Sequence, residues 1–449
     1  MRRQKEIDLT NGEILPNLVR FMLPVLAGQL FQTLYNSVDS VVVGNFVGTN
    51  ALAAVTASSS ITMFFVGFFT GLATGASVVF TMHFGAKEYE NLSNDIHTAM
   101  TFSIGLGILV AAAGILFAPQ LLSLVSCPSD VYDDALIYLR IYMVGILFMS
   151  LYNVGAAVLR SVGDSQSPFY YLLTSSCMNI VLDVLFVALM GLGVAGVAIA
   201  TVISQFTSVC LTFHKMMGMN PAYRFSFRQM HIDFQILKKI IALGLPAGIQ
   251  SSITSLSNIY LQHYINQFSA AAIAGIGSAM KIDQFAGMPC NAMGLAMTTY
   301  IGQNLGAQKP DRARKGVRIA TVAMAVCVSA VGIPIFFFAK QLMSIFGNDE
   351  AMIQYGVGML HTIMPVYMIM GFQMLYGGII RGYGYSRETM FMAIGGMVVV
   401  RQIWLAVSLG MNFQISNIYL CYPIGWAATA VPMLLFYLFV ICRKYNSHG

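Results

Sequence analysis

The sequence predicts an all-α integral membrane protein of twelve transmembrane helices, built as two six-helix repeats. Three observations carry that prediction. Of the 449 residues, 57% are hydrophobic and only 9% charged, with a mean hydropathy of +0.71, whereas soluble domains run at about 25% charged. Apolar runs of about 20 residues recur along the whole length, each able to cross the roughly 30 Å hydrocarbon core. The second half of the chain then repeats the first at a nearly constant spacing. Backbone groups in lipid must be satisfied within helices or closed barrels, and long unbroken runs exclude the alternating pattern of a barrel.

Taken in order, the spans fall at about 16–44, 51–82, 95–117, 131–158, 167–189, 193–213, 236–266, 272–303, 316–338, 352–378, 388–410 and 416–442. The opening residues Met1 to Asp8 are polar, and the first apolar run is too long for the core of a signal peptide, so no cleavable signal is expected. With the N-terminus inside, 20 of the 24 Lys and Arg residues lie in cytoplasmic segments, from Arg2 and Arg3 to Arg443 and Lys444, and the outer loops hold only Lys340. This positive-inside bias places both termini in the cytoplasm. The tract Lys309 to Arg318 belongs to that signal, so the net charge of +6 does not point to nucleic acid. The seven cysteines stand singly without a CxxC pair, and read as small core residues, not as a disulfide frame or metal site. The 30 Met and 30 Phe suit lipid-facing and packing positions, and a soft cavity for varied ligands is a further use for them.

The internal repeat is read from matched residues. Pro24, Asn36 and Phe46 recur as Pro246, Asn258 and Phe268, a shift of 222 residues. The shift then becomes 221: Gln120-Leu121-Leu122-Ser123 is answered by Gln341-Leu342-Met343-Ser344, and Arg160 and Gly163 by Arg381 and Gly384. Each half holds six spans, so the halves share one orientation and a pseudo-two-fold axis along the membrane normal. The expected domains are a lobe over 1–213, a polar cytoplasmic linker over 214–235 and a second lobe over 236–449. Substrate sites in such folds lie between the repeats, and alternating access rocks one against the other.

Mismatches between the halves locate the chemistry, since packing residues repeat but a coupling site need exist only once. Asp39 is answered by Leu261 and Asp183 by Trp404, whereas Arg401 is answered by Ile180 and Lys281 by Ser60. Asp39 is the one carboxylate between Arg20 and His83. An acid at mid-membrane costs roughly 2.5–3.5 kcal/mol on insertion scales and usually faces an interior or a wet cavity, the bland alternative being a position near enough to a helix end to reach the headgroups. At 1.5 Å per residue, Asp39 lies roughly 8 Å inside the outer boundary. Asp183 and Thr201 reach the same layer, and Asn179, four residues before Asp183, shares its helix face. Asp39, Asn179, Asp183 and Thr201 therefore supply hard oxygens and two negative charges, which suits Na⁺ or a shared proton. For Asn179 and Thr201 the competing reading is helix–helix hydrogen bonding.

The second half carries Lys281, Asp283 and Arg401. Asp283 is a candidate partner for Arg401, as an ion pair locking the bundle or as a polar substrate site, and intramembrane ions serve both ends. Gln32, Tyr35 and Asn36 share the Asp39 face, and Tyr138 and Asn153 on the fourth span could face the same cavity. The Gly67 to Gly75 stretch reads as close helix packing, not as a phosphate loop, because it lies inside a span without a lysine.

With its doubled six-span plan, Tyr35-Asn36-Ser37-Val38-Asp39, Asn179-Ile180-Val181-Leu182-Asp183 and Gly302-Gln303-Asn304-Leu305-Gly306-Ala307, the chain resembles the multidrug and toxic compound extrusion (MATE) family, nearest its bacterial DinF-like and MepA-like branch. The resemblance implies a non-enzymatic antiporter of a bacterial cytoplasmic membrane, exporting cationic amphiphilic compounds in exchange for Na⁺ or H⁺. No cofactor beyond the coupling ion and no nucleic-acid partner are expected, and the chain is expected to work as a monomer. The family's N-lobe cation site falls on Asp39, Asn179, Asp183 and Thr201. NorM-type relatives carry acids in the seventh and tenth spans, where this chain has Ser255 and Gln373, so the resemblance does not carry over a C-lobe cation site. The alternative cargo is a lipid-linked or anionic compound, with Lys281 and Arg401 holding its headgroup. A membrane enzyme or receptor finds no support in an intramembrane HExxH, a Ser/His/Asp set or a soluble domain.

Overall fold

A computed structural model describes residues 7–125 and 127–446, with the side chains of residues 36–42, 45, 49 and 446 outside the described set. Among the described residues the protein is 87% helical and has no strand. In chain order the α-helices are α1 Ile14–Val42, α2 Thr49–Ala86, α3 Tyr89–Leu116, α4 Ala118–Leu124, α5 Tyr132–Ser161, α6 Gln166–Asp183, α7 Gly193–Met217, α8 Phe234–Ile265, α9 Ala270–Gly306, α10 Pro310–Phe337, α11 Ala339–Ser344, α12 Glu350–Ile363, α13 Tyr367–Gly382, α14 Ser386–Ile394, α15 Arg401–Met411, α16 Ile415–Phe436 and α17 Cys442–Asn446.

Eleven stretches among the described residues are long and apolar enough to cross a membrane. The twelfth expected span corresponds to α9, a helix of 37 residues that carries Lys281 and Asp283. Two features went unseen in the sequence. Short helices α4 and α11 follow the third and ninth spans, and π-helical turns at Val43–Val47, Val184–Leu189, Gly395–Val400 and Tyr437–Ile441 interrupt or extend four of the long helices. Such turns are rare and frequent at functional sites.

Local chemistry sets the helix ends. Gly163 and Gly384, matched by the repeat, both take φ +88° after α5 and α13, a left-handed conformation that favours glycine. The Ser269 hydroxyl and the Asp349 carboxylate accept from Ala272 N (3.2 Å) and Ala351 N (2.9 Å), capping α9 and α12.

The chain divides into two compact units, residues 1–9 with 23–252 and residues 10–22 with 253–449. Unit 1 holds most of α1, α2 to α7 and the first part of α8. Its α2 meets α8 through glycine: a Cβ on Gly71 would stand 2.4 Å from the Ala247 carbonyl oxygen, and one on Gly75 would stand 2.2 Å from the Gly244 Cα. The Gly67 to Gly75 stretch is thus a helix-packing stripe, which lets two backbones approach in lipid. The polar segment between α7 and α8 is not a free linker. Tyr223 and Phe225 are 2% and 1% exposed, in a cluster with Phe80, Leu92 and Ile96. Ser226 N and Asp233 N donate to His97 Nε2 and Thr98 Oγ1 at 3.0 and 3.1 Å, fixing the segment to α3.

In unit 2, α9 and α13 cross as closely. A Cβ on Gly378 would stand 2.0 Å from the Gly294 carbonyl oxygen, and the Thr298 hydroxyl donates across the crossing to Gly378 O at 2.9 Å. The basic tract at the start of α10 has a structural use besides topology. Lys309 Nζ donates to Thr10 O (3.0 Å) and Asn11 Oδ1 (2.9 Å), and Arg312 donates to Asn11 O (2.9 Å) and Gly12 O (2.8 Å). The segment before α1 is therefore clamped to α10.

Candidate functional site

Three helices of unit 1 converge where the sequence places its acids. α1 runs into the π turn Val43–Val47, and α6 runs into the π turn Val184–Leu189. These two turns pack against each other and against α7. Val43, Ala51, Tyr138, Val187, Val194, Val197 and Ala198 form the apolar cluster that joins them. Asp183 is the last residue of α6, one position before its π turn. Thr201 follows Val197 by one helical turn, and Asp39 precedes Val43 by one. Along their helices, then, each of the three residues stands within about one turn of a member of this cluster or of its π turn.

Within it, Asn179 and Asp183 are each 1% exposed and Thr201 is 8% exposed. The Asn179 amide, buried at both Nδ2 and Oδ1, has no hydrogen-bond partner among the described residues. Leaving such a group unpaired costs about 1–3 kcal/mol, so its retention calls for a use. The Thr201 hydroxyl donates to Val197 O on its own helix at 3.1 Å, which leaves its oxygen lone pairs as acceptors. An amide oxygen, a carboxylate and a hydroxyl are hard ligands fit for a small cation. Asp39 and Asn36 belong to α1, and their side chains lie outside the described residues. Among the described residues no three His, Cys, Asp or Glu side chains gather at one point.

The tentative cavity residues are dispersed. Tyr138 is 7% exposed and packs into the apolar cluster, its ring 5.8 Å from that of Tyr142. Gln32 is exposed on α1, Tyr35 is half-buried there, and Asn153 is half-buried on α5. In unit 2 the expected Asp283–Arg401 pair is corrected. Arg401 is 1% exposed and Nη2 donates to Ser257 Oγ (2.6 Å) and Asn258 Oδ1 (2.9 Å), neutral acceptors on α8. Asp283 Oδ1 is buried without a hydrogen-bond partner among the described residues, and its backbone carbonyl accepts from the Tyr367 hydroxyl at 3.0 Å. Sequence spacing does not say which helices are neighbours, and α8 lies nearer to Arg401 than the acid of α9. Lys281 is exposed, with Nζ 5.9 Å from the centre of the Phe346 ring, within the range of a cation–π contact.

Asp95 is among the buried polar groups that the sequence reading did not single out. Asp95 on α3 is 0% exposed and bonds through Oδ2 to His83 Nδ1 on α2, and His83 Nε2 lies 3.9 Å from Glu88. An acid at the polar start of α3, twelve residues after a histidine across a tight turn, was the available signal.

The repeated plan of apolar, membrane-length helices defines a multi-pass helical membrane protein built by internal duplication. A family model described as MatE matches residues 24–185 and again 246–407, and the chain belongs to the MATE family. It is 27% identical over 458 residues to the probable multidrug resistance protein YoeA of Bacillus subtilis, covering 99% of this chain and 98% of that protein. It is 24% identical to a protein of Shewanella oneidensis named FAD transporter, covering 82% of this chain and 80% of the other. A solved MATE structure in the bent conformation superimposes with a TM-score of 0.91 at 23% identity, covering 99% and 100% of the two chains.

Proposed function

We propose that this chain is a secondary antiporter that exports cationic amphiphilic compounds in exchange for Na⁺ or H⁺ by alternating access. Members of the MATE family are transporters, and YoeA bears a multidrug name. The observation that carries the ion-coupling part is the Asn179 amide, buried without a partner one turn from the buried Asp183. A small cation bridging the two would satisfy the amide oxygen and neutralise the acid together, and its departure would leave both exposed to cost. Asp39 on α1 would complete the set with Thr201 on α7, so loading and unloading would change how α1 meets α6. The setting is a bacterial cytoplasmic membrane with both termini in the cytoplasm and one chain as the working unit.

Substrate efflux from proteoliposomes under imposed Na⁺ or pH gradients tests this reading. Cationic dyes leave with one gradient and not the other, and Asp39→Asn or Asp183→Asn abolishes gradient-driven efflux in folded protein. Normal efflux by both variants sinks it. A second reading, export of an anionic compound, draws on the FAD-named relative and on the unneutralised guanidinium of Arg401. Movement of labelled FAD or an anionic lipid instead of the dyes would select it.

A further inference from the structure

Arg401 is a buried ion with no carboxylate at ion-pair distance among the described residues, held by Ser257 Oγ and Asn258 Oδ1, with Nε unpartnered. Burying a charge this way is costly, and apolar replacements often serve structure as well or better. A position that keeps its charge under those conditions is using it.

The repeat says what for. Asn258 is the counterpart of Asn36, one turn before Asp39. Tyr422 on α16 stands 221 residues after Thr201, at the same spacing that pairs Arg160 with Arg381. Arg401 itself leads α15, one residue past the counterpart of Asn179, and directly follows the π turn Gly395–Val400. Its stem packs on α16, where a Cβ at Gly425 would stand 3.6 Å from both Arg401 Cβ and Cδ. Tyr422, 6% exposed and with no hydrogen-bond partner for its hydroxyl among the described residues, lies on α16 three residues before Gly425. The guanidinium thus lies among α8, α15 and α16, the repeat's counterparts of the helices α1, α6 and α7 that carry Asp39, Asn179, Asp183 and Thr201 in unit 1. There it meets neutral oxygens, and both acids of unit 1 are replaced by Leu261 and Trp404.

We propose that Arg401 is a tethered cation: it fills unit 2's counterpart of the unit 1 cation site, holds α8 to α15 and α16 throughout the cycle, and leaves ion exchange to unit 1 alone. The proposal rests on the coupling reading of Asn179 and Asp183. Arg401 is a positioning residue in this role, because it acts through the helices it joins and not on the cargo.

The test uses the full-length protein in detergent and in proteoliposomes, with Arg401→Ala, Arg401→Lys and Arg401→Met. Arg401→Ala is expected to lose about tenfold in efflux rate and to melt earlier. Guanidinium chloride at low millimolar concentration should restore its melting temperature, while sodium chloride at equal strength does not and wild type does not respond. Arg401→Lys keeps the charge and should fall between the two. Arg401→Met keeps the packed stem without the charge, and wild-type melting and efflux in that variant overturn the proposal, as does an Arg401→Ala protein that guanidinium leaves unchanged. If Arg401→Ala does not fold, Arg401→Met and Arg401→Lys decide alone, by the same order of melting temperatures. Asp183→Asn in parallel reads unit 1: if it transports normally, the coupling reading fails whatever guanidinium does to Arg401→Ala.

Discussion

Gly75 and Gly244 meet backbone to backbone, so that a Cβ on Gly75 would lie 2.2 Å from the Gly244 Cα and 2.3 Å from Leu243 O. No side-chain rearrangement relieves that clash, since both neighbours are main chain. Gly75→Ala should therefore destabilise unit 1 by about 1–3 kcal/mol, seen as a lower melting temperature in detergent. Gly105, on α3 with nothing within 4 Å of its would-be Cβ, is the control: Gly105→Ala should be neutral or stabilise by up to about 1 kcal/mol.

Asn179 should separate stability from function. Its amide is buried and unpartnered, so Asn179→Ala removes an unsatisfied group and should leave the melting temperature unchanged or raised. The same change should weaken the coupling ion about tenfold, the factor carried by 1.4 kcal/mol. Efflux titrated against the driving ion measures the second effect, and thermal unfolding the first.

Asp164 ties the start of α6 to the end of α7. Its carboxylate accepts from Ser167 N (2.9 Å) and Ser167 Oγ (2.6 Å) and lies 3.3 Å from Lys215 Nζ. Loss of a capping acid costs about 0.5–2 kcal/mol, whereas the half-exposed lysine adds little. Asp164→Ala should accordingly destabilise more than Lys215→Ala in parallel melts.

His83 and Asp95 should be strongly coupled. Removing His83 leaves a fully buried carboxylate without its partner, a change that costs about 3–5 kcal/mol in buried pairs. The double variant His83→Ala/Asp95→Asn should cost less than the two single changes added together, and a double-mutant cycle from urea unfolding reads that difference.

The spans were legible because length and apolarity alone decide what crosses a bilayer. Contacts between helices were less so. Arg401 and Asp283 have matching charges in the sequence, yet the guanidinium turns to Ser257 and Asn258, neutral residues that no charge count would select. The π turns after Asp39 and Asp183 left no trace in composition, because one extra residue per turn changes neither apolarity nor length. Tyr223 and Phe225, buried in a segment read as a polar linker, were hidden by the charged residues around them.

The clamp that Lys309 and Arg312 place on Thr10, Asn11 and Gly12 has a consequence for biosynthesis. Lys309 and Asn11 are separated by 298 positions, and ribosomes add about 5–20 residues each second, so the first helix waits roughly 15–60 s for its anchor to be made. For that interval the leading end of the protein is inserted but unfastened, and chains truncated before Lys309 never receive the fastening at all.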